Sequence, residues 1–145
     1  MSRKSAAFIL AALAPIALSA CAAGERSAEA EALTPDQLAL LDRHLGGKVA
    51  GEPVSCISNN TSSIDTIRVS DSVLLYRVSG RLVYKNDLRS SCPGLARDND
   101  VIVSRNFGPG PCRGDIIRLV DRTSGIGGAS CSLGSFTPYR TPPGN

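Results

Sequence analysis

The sequence predicts a mainly β fold, built as a small antiparallel sheet that is strongly curved or barrel-like, with one short N-terminal helix and two disulfides. Three observations predict it. Five short runs rich in Val, Ile, Leu and Tyr are separated by Gly, Pro, Asn and Asp. One segment, residues 34–46, carries apolar side chains at helical spacing. Four cysteines, Cys56, Cys92, Cys112 and Cys131, are spread through the strand-rich part, an even set that reads as a disulfide framework in an exported domain.

The helix is read from "TPDQLALLDRHLGG". Thr34 can cap it, Pro35 suits its first position, Gln37 completes a capping box, and Gly46 is placed to end it. Leu38, Leu41 and Leu45 form one apolar stripe, so the helix must pack on something. The strand runs are "IDTIRV" (64–69), "VLLYRV" (73–78), "RLVYK" (81–85), "DVIVS" (100–104) and "DIIRLV" (115–120), with a weaker one over 130–137. Ser79 and Gly80 between two runs signal a hairpin. Val73, Leu74 and Leu75 are apolar on both alternations, so one side faces a core and the other is covered by the helix or by loops. Tyr76, Tyr84 and Tyr139 line a pocket or fill a core according to register.

Four cysteines allow three pairings. The pairing expected is Cys92 with Cys112, clamping the loops around the 100–104 strand, and Cys56 with Cys131, tying the start of the sheet to its last strand. No C-x-x-C or Cys/His cluster suggests zinc, and no cofactor motif is present.

The fifth cysteine lies at the N-terminus. Arg3 and Lys4 form a basic start, and Ala6 to Leu18 is an apolar run of thirteen residues interrupted by Pro15. A bilayer core needs about 20 helical residues, so a signal peptide is expected. Leu18, Ser19, Ala20 and Cys21 then resemble the lipobox of bacterial lipoprotein precursors. The resemblance implies a diacylglycerol thioether on Cys21, cleavage before it, and acylation of its new amino group. It also implies the periplasmic face of the outer membrane, since Ala22 and not aspartate follows Cys21. Ordinary signal cleavage, leaving Cys21 as a stray thiol, is the alternative. Residues 22–33, "AAGERSAEAEAL", are small and polar and read as a tether of about 40 Å when extended. The expected organisation is signal peptide 1–20, lipidated N-terminus and tether 21–33, and a single β domain 34–145.

Composition excludes more than it identifies. Formal charge is +3, falling to about +1 without Arg3 and Lys4, which does not suit nucleic acid. From residue 34 onward the cations are eleven Arg and two Lys. Arg suits phosphate and carboxylate, so a patch for lipid A or peptidoglycan is conceivable, although these residues are interspersed with Asp. His44 is the sole histidine, on the helix beside the apolar stripe, and a general base would need partners from elsewhere. Asp98 and Asp100 could be paired carboxylates, but they are too few for calcium. Arg113-Gly114-Asp115, the glycosylation-like "NNTSS", and the runs "GPGP" and "GIGG" are read as turns or chance matches.

A second resemblance covers about residues 53–139. "SCI", "RLVYKN" followed by "CPGL", "GDIIRL" and "GASCSLGSFTPY" resemble a family of small exported proteobacterial proteins of unknown function. It implies structural cysteines and supplies no activity. The expectation is thus a non-enzymatic envelope lipoprotein, a binding or scaffolding module whose partner is an unknown protein, peptidoglycan or lipid. The alternative is an inhibitor of a hydrolase such as lysozyme, because "YRVSGRLVY" is weakly similar to a Ser-Gly loop of such inhibitors. Ser79 and Arg81 would then be the contacts, by analogy.

Overall fold

Thr34 adopts an extended backbone and its hydroxyl accepts from the Gln37 amide at 3.3 Å, while the Thr34 amide donates to Gln37 Oε1 at 2.9 Å. Two orphan amides are satisfied at once, and α1 (Pro35–Leu45) begins there. In this computed structural model, which describes residues 32–58, 64–105, 108 and 110–144, eight strands follow. They are β1 (Val49–Ala50), β2 (Asp65–Arg68), β3 (Val73–Ser79), β4 (Leu82–Asp87), β5 (Asp100–Ser104), β6 (Ile116–Asp121), β7 (Gly127–Ser132) and β8 (Phe136–Arg140). The described residues are mainly β with one short helix, two disulfides and antiparallel pairing, as the sequence predicts.

The strands divide between two sheets. One has the order β1-β8-β4-β3-β2 and the other the order β5-β6-β7. The weak run over 130–137 is where the chain crosses between them: β7 belongs to the second sheet and β8 to the first, with Leu133 to Ser135 as the link. Gly134 permits the crossing because a Cβ there would collide with the Asp87 carbonyl oxygen. Beside it the fully buried Asn86 donates from Nδ2 to the Gly134 and Ser135 carbonyls at 2.9 and 3.3 Å and accepts from the Gly134 amide at 3.0 Å. An asparagine thus closes backbone groups that the crossing takes out of both ladders.

β3 explains the doubly apolar run. Leu74 and Tyr76 point into a core between the sheets, joined by Phe136, Ile117, Leu119, Cys131 and the connecting residues Ile57, Cys92, Leu95 and Leu133. Val73 and Leu75 point the opposite way and, with Val69 and Val83, are covered by Leu33, Leu40, Leu41 and Leu45. Each fully buried aliphatic side chain contributes roughly 1.5–3 kcal/mol. The order of layers is therefore helix, five-stranded sheet, three-stranded sheet. Leu38 departs from the expected stripe: it is 53% exposed and Leu40 takes its place. At 3.6 residues per turn Leu38 lies about 60° around the axis from Leu41, on the side away from Leu40. Tyr76 fills the core, edge to face with Phe136 at a centroid distance of 5.5 Å. Burial, and then the charge of Asp115, push its hydroxyl far above the ordinary tyrosine range, so it stays neutral. Tyr84 packs partly on the same core, and Tyr139 is half-buried on the helix side, opposite Val83.

The disulfides pair differently from the expectation. Cys56 joins Cys112, and Cys92 joins Cys131, instead of Cys92 with Cys112 and Cys56 with Cys131. The expectation assumed one sheet with cysteines meeting around a shared strand. With two sheets, Cys56 and Cys92 lie on connections leaving the first sheet, and Cys112 and Cys131 lie on the β5–β6 connection and on β7. Cys56 is brought to Cys112 by an antiparallel bridge, with Ile57 N donating to Pro111 O at 3.1 Å and Arg113 N to Ser55 O at 2.6 Å. Cys92 is held by the β2–β3 turn. Its amide donates to Asp71 O at 2.6 Å, and the Gly94 and Ala96 amides donate to the Asp71 carboxylate at 3.2 and 2.9 Å. It therefore sits over the inner face of the second sheet, where Cys131 points.

Candidate functional site

The residues singled out by sequence do not converge. Cys21 and "NNTSS" lie outside the described residues. Ser79 and Arg81 stand at the β3–β4 hairpin, both exposed. The Ser79 hydroxyl accepts from the Arg81 and Leu82 amides at 3.2 Å each, which fixes the turn and leaves the hydroxyl proton to donate outward. Within Arg113-Gly114-Asp115, the carboxylate accepts from the Cys112 amide at 2.8 Å and Gly114 takes a φ of 93°. That motif builds a turn beside a disulfide.

His44 is half-buried on the helix face that meets the sheet. Burial, then the charges of Arg77, Arg43 and Lys48, hold its imidazole below the usual value of 6.5. Protonation is thus disfavoured in the folded chain. Well above pH 6.5 the ring is neutral in both states; as pH falls the unfolded chain takes the proton first, so stability drops as pH approaches the folded value. The urea midpoint is expected to decline between pH 7 and 5, and His44→Gln to flatten that leg. Asp121 acts in a separate window. Hydrogen bonds from the Ser124 amide and hydroxyl hold it below 3.8, so its contribution disappears only in stronger acid.

Two surfaces were not anticipated. The outer face of the second sheet carries Val101, Val103 and Ile116, exposed at 41, 44 and 53%, around Arg118. The Arg118 guanidinium lies where a Cβ on Gly127 would be, so this glycine makes room for it. No described element covers this face.

The other surface is an open cleft of about 510 Å³ lined by Thr66, Ile67, Arg68, Asp98 and Arg122. It joins the edge strand β2 of the first sheet to the β5 and β6 ends of the second. Arg68 is fixed across the gap: Nη1 donates to the Arg97 carbonyl and Nη2 to the Asp100 carbonyl. Arg122 is placed by its own amide, which donates to Asn99 O at 3.2 Å. Asp98 comes from the loop between Arg97 and Asn99. Among the described residues, neither arginine forms an ion pair with Asp98 or any other carboxylate. Of the two aspartates noted by sequence, Asp98 belongs here, while Asp100 opens β5 and offers its carbonyl to Arg68. Arg68 and Arg122 were hidden in the sequence because they are far apart, and only the pairing of β2 and β6 with their respective sheets brings them together.

A model of a family described as a family of unknown function (DUF6491) matches residues 3–139. No curated protein and no solved structure matches the chain.

Proposed function

The chain belongs to a family of unknown function (DUF6491), and we propose that it is a non-enzymatic envelope lipoprotein, a binding or scaffolding module anchored through Cys21. One observation carries this reading. Both disulfides together consume every cysteine of the domain, which leaves Cys21 as the odd thiol at the end of a lipobox-like sequence. Disulfides suit an oxidising compartment, and several acyl chains at about 0.8 kcal/mol per buried methylene hold a protein at a membrane durably. The proposed location is the periplasmic face of the outer membrane. The uncovered Val101, Val103 and Ile116 around Arg118 offer a surface for an envelope partner.

Palmitate labelling in the native host tests the anchor. Wild-type protein is expected to carry label and fractionate with the outer membrane, and Cys21→Ser to lose both. Label retained in the variant would sink the proposal.

Inhibition of a hydrolase such as lysozyme is a second reading, favoured by the exposed, internally braced Ser79 to Arg81 turn. Full activity of several lysozyme types in the presence of micromolar protein would remove it.

A further inference from the structure

The cleft between β2 and the start of the β6–β7 turn has a lining chemistry that narrows its occupant. We infer that it binds a phosphorylated sugar, whose phosphate is gripped by Arg68 and Arg122 and whose ring hydroxyl donates to Asp98. The inference deepens the envelope-binding proposal and rests on it only for the source of the ligand.

Arg68 is half-buried and locked by two backbone carbonyls, so its guanidinium is presented without further loss of side-chain freedom. Two of its five donors are spent there and the rest remain available. Arg122 is exposed and lines the same cleft. Two guanidiniums lining one cleft suit a tetrahedral oxyanion, which can accept from the free donors of both. Neither arginine is neutralised by a carboxylate among the described residues.

Asp98 makes the site more selective than an anion trap. A free phosphate gains from two guanidiniums but is repelled by the carboxylate. A sugar phosphate places hydroxyl donors beside its anion, and the same carboxylate then accepts a hydrogen bond. The lining contains one apolar side chain, Ile67, and no aromatic ring. Nothing there would stack on a base or shelter an acyl chain. A volume of about 510 Å³ lies within the range of roughly 300–1,000 Å³ found for small-molecule sites.

Calorimetric titration of the full-length protein in detergent tests this, with hexose 6-phosphate, inorganic phosphate, neutral hexose and lipid A in mixed micelles as probes. Hexose 6-phosphate is expected to bind at least ten-fold tighter than either phosphate or hexose. Arg122→Ala should weaken it at least ten-fold while leaving the urea midpoint in place. Asp98→Asn should weaken sugar phosphate binding yet strengthen phosphate binding, a crossing that a purely structural role would not produce. Weaker binding of lipid A than of hexose 6-phosphate indicates a free sugar phosphate, and equal or tighter binding of lipid A indicates a headgroup; both support the site. Absence of binding to either, binding of inorganic phosphate as tight as that of the sugar phosphate, or binding indifferent to Arg122→Ala overturns it. A failed titration with intact palmitate labelling removes the cleft alone, and the reverse removes the anchor alone.

Discussion

Replacing Cys92 and Cys131 together with alanine is expected to lower stability by about 4 kcal/mol or more. Their bond closes a loop with a sequence separation of 39 residues, for which chain entropy alone gives about 4 kcal/mol. Both sulfurs also sit in the core between the sheets, at 0 and 4% exposure, so their removal leaves a cavity that the surroundings fill only in part. The loop closed by Cys56 and Cys112 is longer, with a separation of 56, and its entropy term is similar at about 4 kcal/mol. Cys56 is exposed and Cys112 half-exposed, so the cavity term is absent and the loss should be smaller. Urea titration of the two double variants measures the order. Tryptic mapping without reduction should recover Cys56 joined to Cys112 and Cys92 joined to Cys131, and a peptide joining Cys92 to Cys112 would contradict the structure.

Gly134→Ala is expected to cost roughly 3–5 kcal/mol, among the largest effects of any single substitution. Its new methyl group would meet the Asp87 carbonyl oxygen, which belongs to backbone and cannot swing away. The neighbouring Asn86→Leu should cost several kcal/mol by another route, about 1–3 kcal/mol for each buried group left unpaired. Because both substitutions break the same junction between β7 and β8, their effects should add to less than their sum. A double-mutant cycle read by urea midpoint checks this. Full additivity would mean that Asn86 and Gly134 act independently.

Much of the fold was legible because its signals are local. The capping box at Thr34 and Gln37, the Val- and Ile-rich run of β5 and the turn after Ser79 each lie within a few residues. What was not legible depends on which elements meet. The disulfide pairing followed from dividing the strands between two sheets, and no run of residues announces that division. The glycine of "SLGSF" was the nearest local sign of the crossing, since an isolated glycine in a strand pattern marks close backbone approach. Arg68 and Arg122 carry no local mark that separates them from the other arginines. Their cleft exists only because the edge of one sheet stands beside the end of the other. Leu38 was misplaced for a simpler reason: three leucines fit a stripe, but Leu33 and Leu40 shift the buried arc to one side.

The order of the bonded cysteines bears on how the protein matures. Numbered along the chain, the first pairs with the third and the second with the fourth. If the chain is exported as proposed, translocation from its N-terminus presents Cys56 and Cys92 before Cys112 and Cys131, and an oxidant acting on thiols as they appear would join those two. That bond is absent from the finished protein, so it has to be attacked by a later thiolate and exchanged. Maturation should therefore depend on a disulfide-shuffling catalyst more than on the oxidant itself. Acid-trapping of pulse-labelled chains during export would show this as early accumulation of a Cys56 to Cys92 species, and its absence would mean that the sheets assemble before any sulfur is oxidised.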